Sequence, residues 1–227
     1  MKKQVVVVGL GRFGSSVARS LYNLGHDVLA IDNDEGRVQS IMGKATHAVT
    51  GDATNESLLR ELGILDYDAA VVAIGSDIVP SIMASVLLKT LGVPYVVSRA
   101  RNELHGNTLE RIGVDKVVHA ESEMGGRLAH SLFNPNVQEY LEITPNFGIS
   151  KMRVPTRFVD MSLKELGFSN PRDKYGLTVV AIQRRGTDIT LNPDSNDRLQ
   201  AGDWLVLAGR DELLDQLDLV QDGAESS

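Results

Sequence analysis

Short runs of β-branched and aliphatic residues alternate with longer stretches whose apolar positions recur every three or four residues. Val5-Val6-Val7-Val8 reads as a strand buried on both faces. The next stretch, 15–24, sets Val17, Ala18, Leu21 and Leu24 on one face of a helix. The alternation continues with a strand at Asp27–Ile31, a short strand over 46–50, and a helix striped by Leu58, Leu59 and Leu62. Ala69–Ile74 is again strand-like, and Ile82–Leu91 reads as a helix with Ile82, Met83, Val86 and Leu87 facing inward. Tyr95–Ser98, the helix Leu104–Ile112 stopped by Gly113, and the strand Lys116–His119 complete the series. This is βαβαβ twice over. It predicts a doubly wound parallel α/β sheet, and right-handed crossovers give it the order 3-2-1-4-5-6.

Beyond residue 121 the period changes. Met124, Leu128 and Leu132 fall four apart on one further helix, which Asn134-Pro135-Asn136 breaks. The predicted organisation is a Rossmann domain over 1–134, a small α/β domain over 135–220, and a disordered tail over 221–227. Strands are expected at Val137–Ile143, Ile149–Val154, Leu177–Gln183, Ile189–Leu191 and Trp204–Leu207, with a turn at Arg185-Gly186. Ser162 and Glu165 have the spacing of a capping box for a short helix. A last helix over Asp211–Leu219 would turn Leu213, Leu214 and Leu217 to the sheet. Trp204, Leu205 and Leu207 form an apolar cluster that one helix does not cover, which predicts self-association.

The chemistry concentrates at the first strand. Gly9-Leu10-Gly11-Arg12-Phe13-Gly14 stands between that strand and its helix, and Asp32 closes the second strand. Gly9 permits the tight turn, Gly11 lets a phosphate approach the backbone, and Gly14 lets the helix lie close to the strand. The helix start offers unpaired N–H groups and a positive dipole end to an anion. A carboxylate at Asp32 suits a ribose diol and repels a 2′-phosphate. In this context the motif predicts an adenine-nucleotide site. Arg12 inside the phosphate loop would be unfavourable beside the positive dipole end unless a phosphate relieved it. Arg99 ends the fifth strand at the ligand edge of the sheet, placed for a second phosphate contact or a surface salt bridge.

Composition narrows the class. The chain has 227 residues, no cysteine, five histidines and a formal net charge of −7. Disulfides and thiolate metal sites are excluded. The acidic balance argues against nucleic acid as a partner. No apolar run approaches the roughly 18–20 residues of a membrane span. Met1-Lys2-Lys3-Gln4 leaves no room for a cleaved leader before the first strand, so a cytoplasmic location is expected. His26, His47, His105, His119 and His130 show no metal-like spacing, and no nucleophile motif is present. The expectation is a domain that binds a nucleotide without turning it over, in preference to a small NAD-dependent oxidoreductase.

The chain resembles the cytosolic regulatory subunits of bacterial Ktr/Trk potassium-uptake systems, which are built from RCK domains (regulators of potassium conductance). The resemblance runs through the glycine loop, Gly25–Asp32, Ala45–Val49, Val72–Gly75, Leu109–Asp115, the Glu121-x-x-Met124-Gly125 segment and Lys174-Tyr175-Gly176. With no internal repeat visible, the chain is nearer the KtrA type than the Trk type, which doubles both domains. The resemblance implies a dimer or octameric ring, peripheral to the inner face of the membrane, that gates a potassium-translocating membrane subunit. It implies ATP or ADP as ligand, or NAD/NADH as in Trk relatives. The implied nucleotide set is Gly9, Gly11, Arg12, Phe13, Gly14, Asp32, Asn33, Asp52, Ala53, Ile74, Gly75 and Arg99. Asp52 would lie along the adenine or cap the Asn55–Leu62 helix. Glu121 would stand near the phosphates with Mg²⁺ or Ca²⁺ between, or cap the helix that follows. The helix from Met124 to Phe133 would cross to a neighbour. In several relatives the C-terminal domain binds cyclic di-AMP, for which Asn170, Arg172, Ile182 and Pro193 are the corresponding lining.

Overall fold

The computed structural model describes residues 1–132, 136–168, 176–184 and 188–214. The chain divides into two compact units, Met1–Glu121 and Ser122–Ser227. The division falls in the first turn of a helix and not at the Asn-Pro break after it. Residues 134 and 135 of that break lie outside the described residues, as do the turn at Arg185-Gly186, Leu217 and the tail.

The first unit alternates β1 (Gln4–Val8), α1 (Arg12–Asn23), β2 (Asp27–Asp32), α2 (Glu35–Ile41), β3 (His47–Thr50), α3 (Glu56–Glu61), β4 (Ala69–Val72), α4 (Ile78–Thr90), β5 (Val96–Arg99), α5 (Glu103–Arg111) and β6 (Lys116–Val118). The six strands are parallel in the order β3-β2-β1-β4-β5-β6. β1 lies at the centre, with Val5 opposite Val28 on one side and Ala69 on the other. Buried on both faces, its valines explain the unbroken apolar run. Val7, Val28 and Ala30 meet Ala18 of α1 and Val38 and Ile41 of α2. Val6, Val8, Leu29 and Ile31 meet Leu59 of α3 and Ala84 and Leu88 of α4 on the other face. The order reverses between β1 and β4, which opens a crevice at the carboxyl ends of the strands.

Two helix faces differ from the expected ones. On α4, Ser81, Ala84, Ser85 and Leu88 are buried, whereas Met83 and Val86 are exposed beside Val79. Small side chains let this helix lie close to the sheet. The Ser85 hydroxyl donates to the Ser81 carbonyl at 2.8 Å and shares a 2.8 Å hydrogen bond with Ser98, so a polar group enters the core without an unmet bond. Leu24 falls past the last turn of α1, before the positive-φ Gly25, and is exposed.

α6 (Ala120–Leu132) carries the chain from one unit into the next, with Met124, Leu128 and Leu132 exposed. The second unit contains β7 (Val137–Thr144), β8 (Phe147–Arg153), α7 (Leu163–Leu166), β9 (Leu177–Gln183), β10 (Ile189–Leu191) and β11 (Trp204–Arg210). Among the described residues its five strands are antiparallel in the order β10-β9-β11-β8-β7. The predicted capping box holds α7: the Glu165 N–H donates to Ser162 Oγ at 3.2 Å and the Ser162 N–H to Glu165 Oε2 at 2.7 Å. Residues 211–214 open a helix, and Leu214 enters the core. Leu205 and Leu207, expected to be uncovered, are fully buried with Met152, Leu163, Leu177 and Leu199. Trp204 points to the opposite face, as strand alternation requires, with Lys151 Nζ 5.4 Å from its ring centroid. The two leucines therefore lend no weight to self-association.

Candidate nucleotide site

The glycine loop is built by close approach. Gly9 holds φ at +89°, and a Cβ there would lie 3.0 Å from the Ile74 backbone nitrogen. A Cβ on Gly14 would strike the Gly9 carbonyl, so no larger residue lets α1 start here. Gly11 is the N-cap of α1. No side chain caps this end and no acid stands in the first turn. The first N–H groups of the helix therefore keep their capacity for an anion.

Asp32 is almost wholly buried. Its Oδ2 accepts from the Leu10 N–H at 2.5 Å and its Oδ1 from the Asp34 N–H at 2.9 Å. Arg37 Nη1 lies 3.5 Å from Oδ2. A carboxylate offers about four acceptor sites, so three such donors leave it room for a ribose hydroxyl. It also braces the glycine loop against the start of α2, a role that sequence alone did not reveal.

Around these groups lies a cavity of about 1230 Å³. Gly9, Gly11, Arg12, Asp32, Asn33, Asp52, Ala53, Ile74, Gly75 and Arg99 all line it. Phe13 and Gly14, expected in the set, do not line it. Phe13 carries the Arg99 guanidinium 5.8 Å from its ring centroid, a cation–π contact. Asp52 does not cap α3. Asn55 does so, accepting from the N–H groups of Ser57 at 3.0 Å and Leu58 at 3.3 Å. Asp52 accepts instead from the Thr54 N–H at 2.9 Å and the Thr54 hydroxyl at 2.7 Å. These bonds hold its carboxyl below the usual range and keep it an anion at the cavity edge.

Arg99 reaches the cavity from the end of β5 across Gly75. Its Nη2 donates to Glu121 Oε1, while its buried Nε has no partner. That hydrogen bond, followed by the nearby charges of Arg99 and Arg12, holds the Glu121 carboxyl below the usual carboxylate range. Glu121 thus points its charge at a guanidinium, and its own backbone N–H in the first turn of α6 also donates to it. Among the described residues no three His, Asp or Glu side chains gather as a metal site.

Sequence reasoning missed Ser15, Arg19, Arg37, Ser40, Lys44, Thr54, Ser76 and Asp77, which also line the cavity. The signal was present for five of them. Arg12, Ser15 and Arg19 recur at helical spacing, and Arg37, Ser40 and Lys44 repeat the same intervals.

Of the cyclic di-AMP lining, Asn170 and Arg172 lie outside the described residues, and Pro193 is half-buried. Ile182 is fully buried in the core of the second unit, opposite Leu205. It faces no surface of the chain, so its expected place in a ligand lining does not hold.

A TrkA-N domain model matches residues 5–120, and a TrkA-C domain model matches residues 150–219. The chain belongs to the TrkA/Ktr family of RCK-domain proteins. It is 39% identical over 207 residues to Ktr system potassium uptake protein A of Bacillus subtilis (strain 168), covering 91% of each chain. Ktr system potassium uptake protein C of the same strain is 38% identical over 209 residues, covering 92% of this chain and 93% of the relative. The Vibrio alginolyticus Ktr system potassium uptake protein A is 32% identical over 216 residues, with 95% and 96% covered. Among solved structures, the GsuK RCK domain superposes with a TM-score of 0.65 at 18% identity over 99% of this chain. This chain spans 49% of that one, about half its length. A GsuK channel bound to NAD gives a TM-score of 0.52 at 23% identity, covering 96% of this chain and 38% of that one. At these identities the structural likeness establishes the two-domain fold. Among the described residues, no helix is long and apolar enough to cross a membrane.

Proposed function

We propose that this chain is the nucleotide-sensing regulatory subunit of a potassium-uptake system of the Ktr type. It assembles with copies of itself on the cytoplasmic face of a potassium-translocating membrane subunit. ATP, ADP or NAD(H) binding in the cavity changes the shape of that assembly and so gates transport. The observation that carries the reading is the cavity itself. An uncapped helix start, the Asp32 carboxylate and two arginines converge on one crevice at the switch point of a parallel sheet. The names and identities of the curated relatives supply the potassium system.

In this reading the site binds its ligand without turnover, and its lining offers backbone amides, hydroxyls, arginines and carboxylates for that purpose. Arg99 supplies the responsive element. A terminal phosphate in the cavity competes with Glu121 for its guanidinium, and Glu121 stands in the first turn of α6. A phosphate that draws Arg99 away frees the Glu121 carboxylate, which is then able to meet Mg²⁺ or Ca²⁺ shared with that phosphate. A ligand gates by unequal affinity for two states, and this exchange provides the inequality. The test is calorimetry with ATP, ADP and NADH, together with identification of the nucleotide released from purified protein on denaturation. Absence of binding for all three would remove the reading. Steady turnover of NADH with carbonyl substrates would replace it with the oxidoreductase alternative.

A further inference from the structure

We propose that the cavity contains a second anion subsite, formed by Arg19, Arg37 and Lys44, that accepts a phosphate carried on the adenosine ribose. The inference rests on the nucleotide reading and names a ligand class within it.

The first observation is size. The cavity's volume of about 1230 Å³ exceeds the roughly 300–1,000 Å³ of ordinary small-molecule sites. Its lining does not stop at the glycine loop and Asp32. It continues along two helices, through Ser15 and Arg19 of α1 and through Arg37, Ser40 and Ile41 of α2, to Lys44 just beyond.

The second observation is charge. The chain is acidic, at −7, yet Arg12, Arg19, Arg37, Lys44 and Arg99 face this cavity against Asp32, Asp34, Asp52 and Asp77. Arg12 and Arg99 belong to the phosphate-loop end. Of the others, Arg37 balances Asp32 at 3.5 Å and Asp34 at 3.8 Å. Arg19 and Lys44 have no acidic partner among the described residues. Arg19 Nε donates to the Ser15 carbonyl at 3.1 Å, and Lys44 Nζ to the Ser40 carbonyl at 3.4 Å. Two positive charges therefore stand uncompensated along the groove. Seven residues of helix separate Arg12 from Arg19, about 10 Å at 1.5 Å per residue. The two cationic ends thus address different parts of one ligand.

The third observation locates the ribose. Asp32 marks the position of its hydroxyls. The Arg37 guanidinium lies 3.5 Å from that carboxylate, beside the expected ribose hydroxyls. In this fold an arginine near the acid is the group that accommodates a ribose phosphate. The expectation that Asp32 excludes such a phosphate treated the carboxylate as a bare charge. Two backbone N–H groups and Arg37 already meet it, so its field toward the groove is reduced.

The experiment is calorimetry on the full chain with NADH, NADPH and ATP, and with coenzyme A against dephospho-coenzyme A. The NADPH arm reads a 2′-phosphate and the coenzyme A arm a 3′-phosphate. At least one phosphorylated member is expected to bind as tightly as its parent or tighter. Arg19→Ala/Lys44→Ala is expected to weaken that ligand about tenfold while changing NADH and ATP less than twofold. Both side chains are exposed, and a thermal melt checks that the variant folds. If NADH and ATP bind but both phosphorylated forms bind at least tenfold worse than their parents, the subsite is wrong and the nucleotide reading stands. Equal weakening of all ligands in the double variant also overturns the subsite. If none of the ligands binds, the nucleotide reading itself fails and the subsite fails with it.

Discussion

Replacing Glu121 by Gln removes a charge and little else. The amide keeps the length of the side chain and an oxygen that accepts from Arg99. In the native chain the pair joins a mostly covered guanidinium, 19% exposed, to an open carboxylate, 68% exposed. Solvent screening of that open end places the pair near the surface range of about 0.2–1 kcal/mol, below the about 1.5–3 kcal/mol of fully enclosed charged hydrogen bonds. Removing a competitor of that strength raises affinity for a phosphate ligand by about 1.5- to 5-fold. Calorimetry of ATP and ADP without divalent cations, at low and moderate salt, reads this directly. The gain is expected to shrink as salt rises, because the pair's exposed side is screened. Addition of Mg²⁺ is expected to tighten ATP binding to the native chain more than to Glu121→Gln, since a cation needs the released carboxylate. Weaker ATP binding by the variant in cation-free buffer would refute the competition, because Glu121 would then be assisting the ligand directly.

Arg12→Ala should cost ATP about tenfold to a hundredfold, the equivalent of one charge-assisted bond of roughly 1.5–3 kcal/mol, and cost ADP much less. Equal losses would mean that Arg12 holds the shared diphosphate and cannot discriminate. His105 gives stability a pH dependence. Its ring is buried on α5, its Nδ1 accepts from the Arg101 N–H at 3.2 Å, and burial lowers its proton affinity. The unfolded chain therefore binds more protons below about pH 6.5, and stability falls as pH drops through that value. Urea melts at pH 5.5 and 7.5 should show this slope, and His105→Gln should flatten it; an unchanged slope would assign it to other groups. Leu205→Ala opens a cavity in the second core and should cost about 2–5 kcal/mol. A loss under 1 kcal/mol in a chemical melt would contradict the burial of this strand face.

The sequence and the structure agree where one local rule decides the outcome. The strand order follows from alternation and handedness. The glycine loop follows from sterics that admit no other residue at Gly9 and Gly14. Disagreements arise where partners distant in sequence decide. α4 turns Ser85 inward because Ser98, on a strand thirteen residues later, donates a hydrogen bond to its hydroxyl. Hydrophobic periodicity weights Met83 above Ser85 and has no means of knowing that partner. The same limit governed Asp52, whose expected capping role falls to Asn55, and Leu205, whose cover comes from α7 and the loop bearing Leu199.

The cavity's cations show the limit most sharply. Arg12 was legible because it interrupts a known loop, whereas Arg19, Arg37 and Lys44 sit among ordinary helix-surface residues. Their helical spacing groups each row on one face but does not by itself distinguish it from a row of solvated charges. What distinguishes them is that α1 and α2 cover the same face of the sheet, where Ala18, Val38 and Ile41 join one core, and so bring two basic rows to one groove. A row of solvated charges on one helix needs no explanation. Two rows that line the same crevice, in a chain whose net charge is −7, are the basis of the proposed anion subsite. The specificity of this site therefore rests on helix packing as much as on the glycine loop. A relative that keeps the loop but exchanges the α1 and α2 rows should bind a different anion.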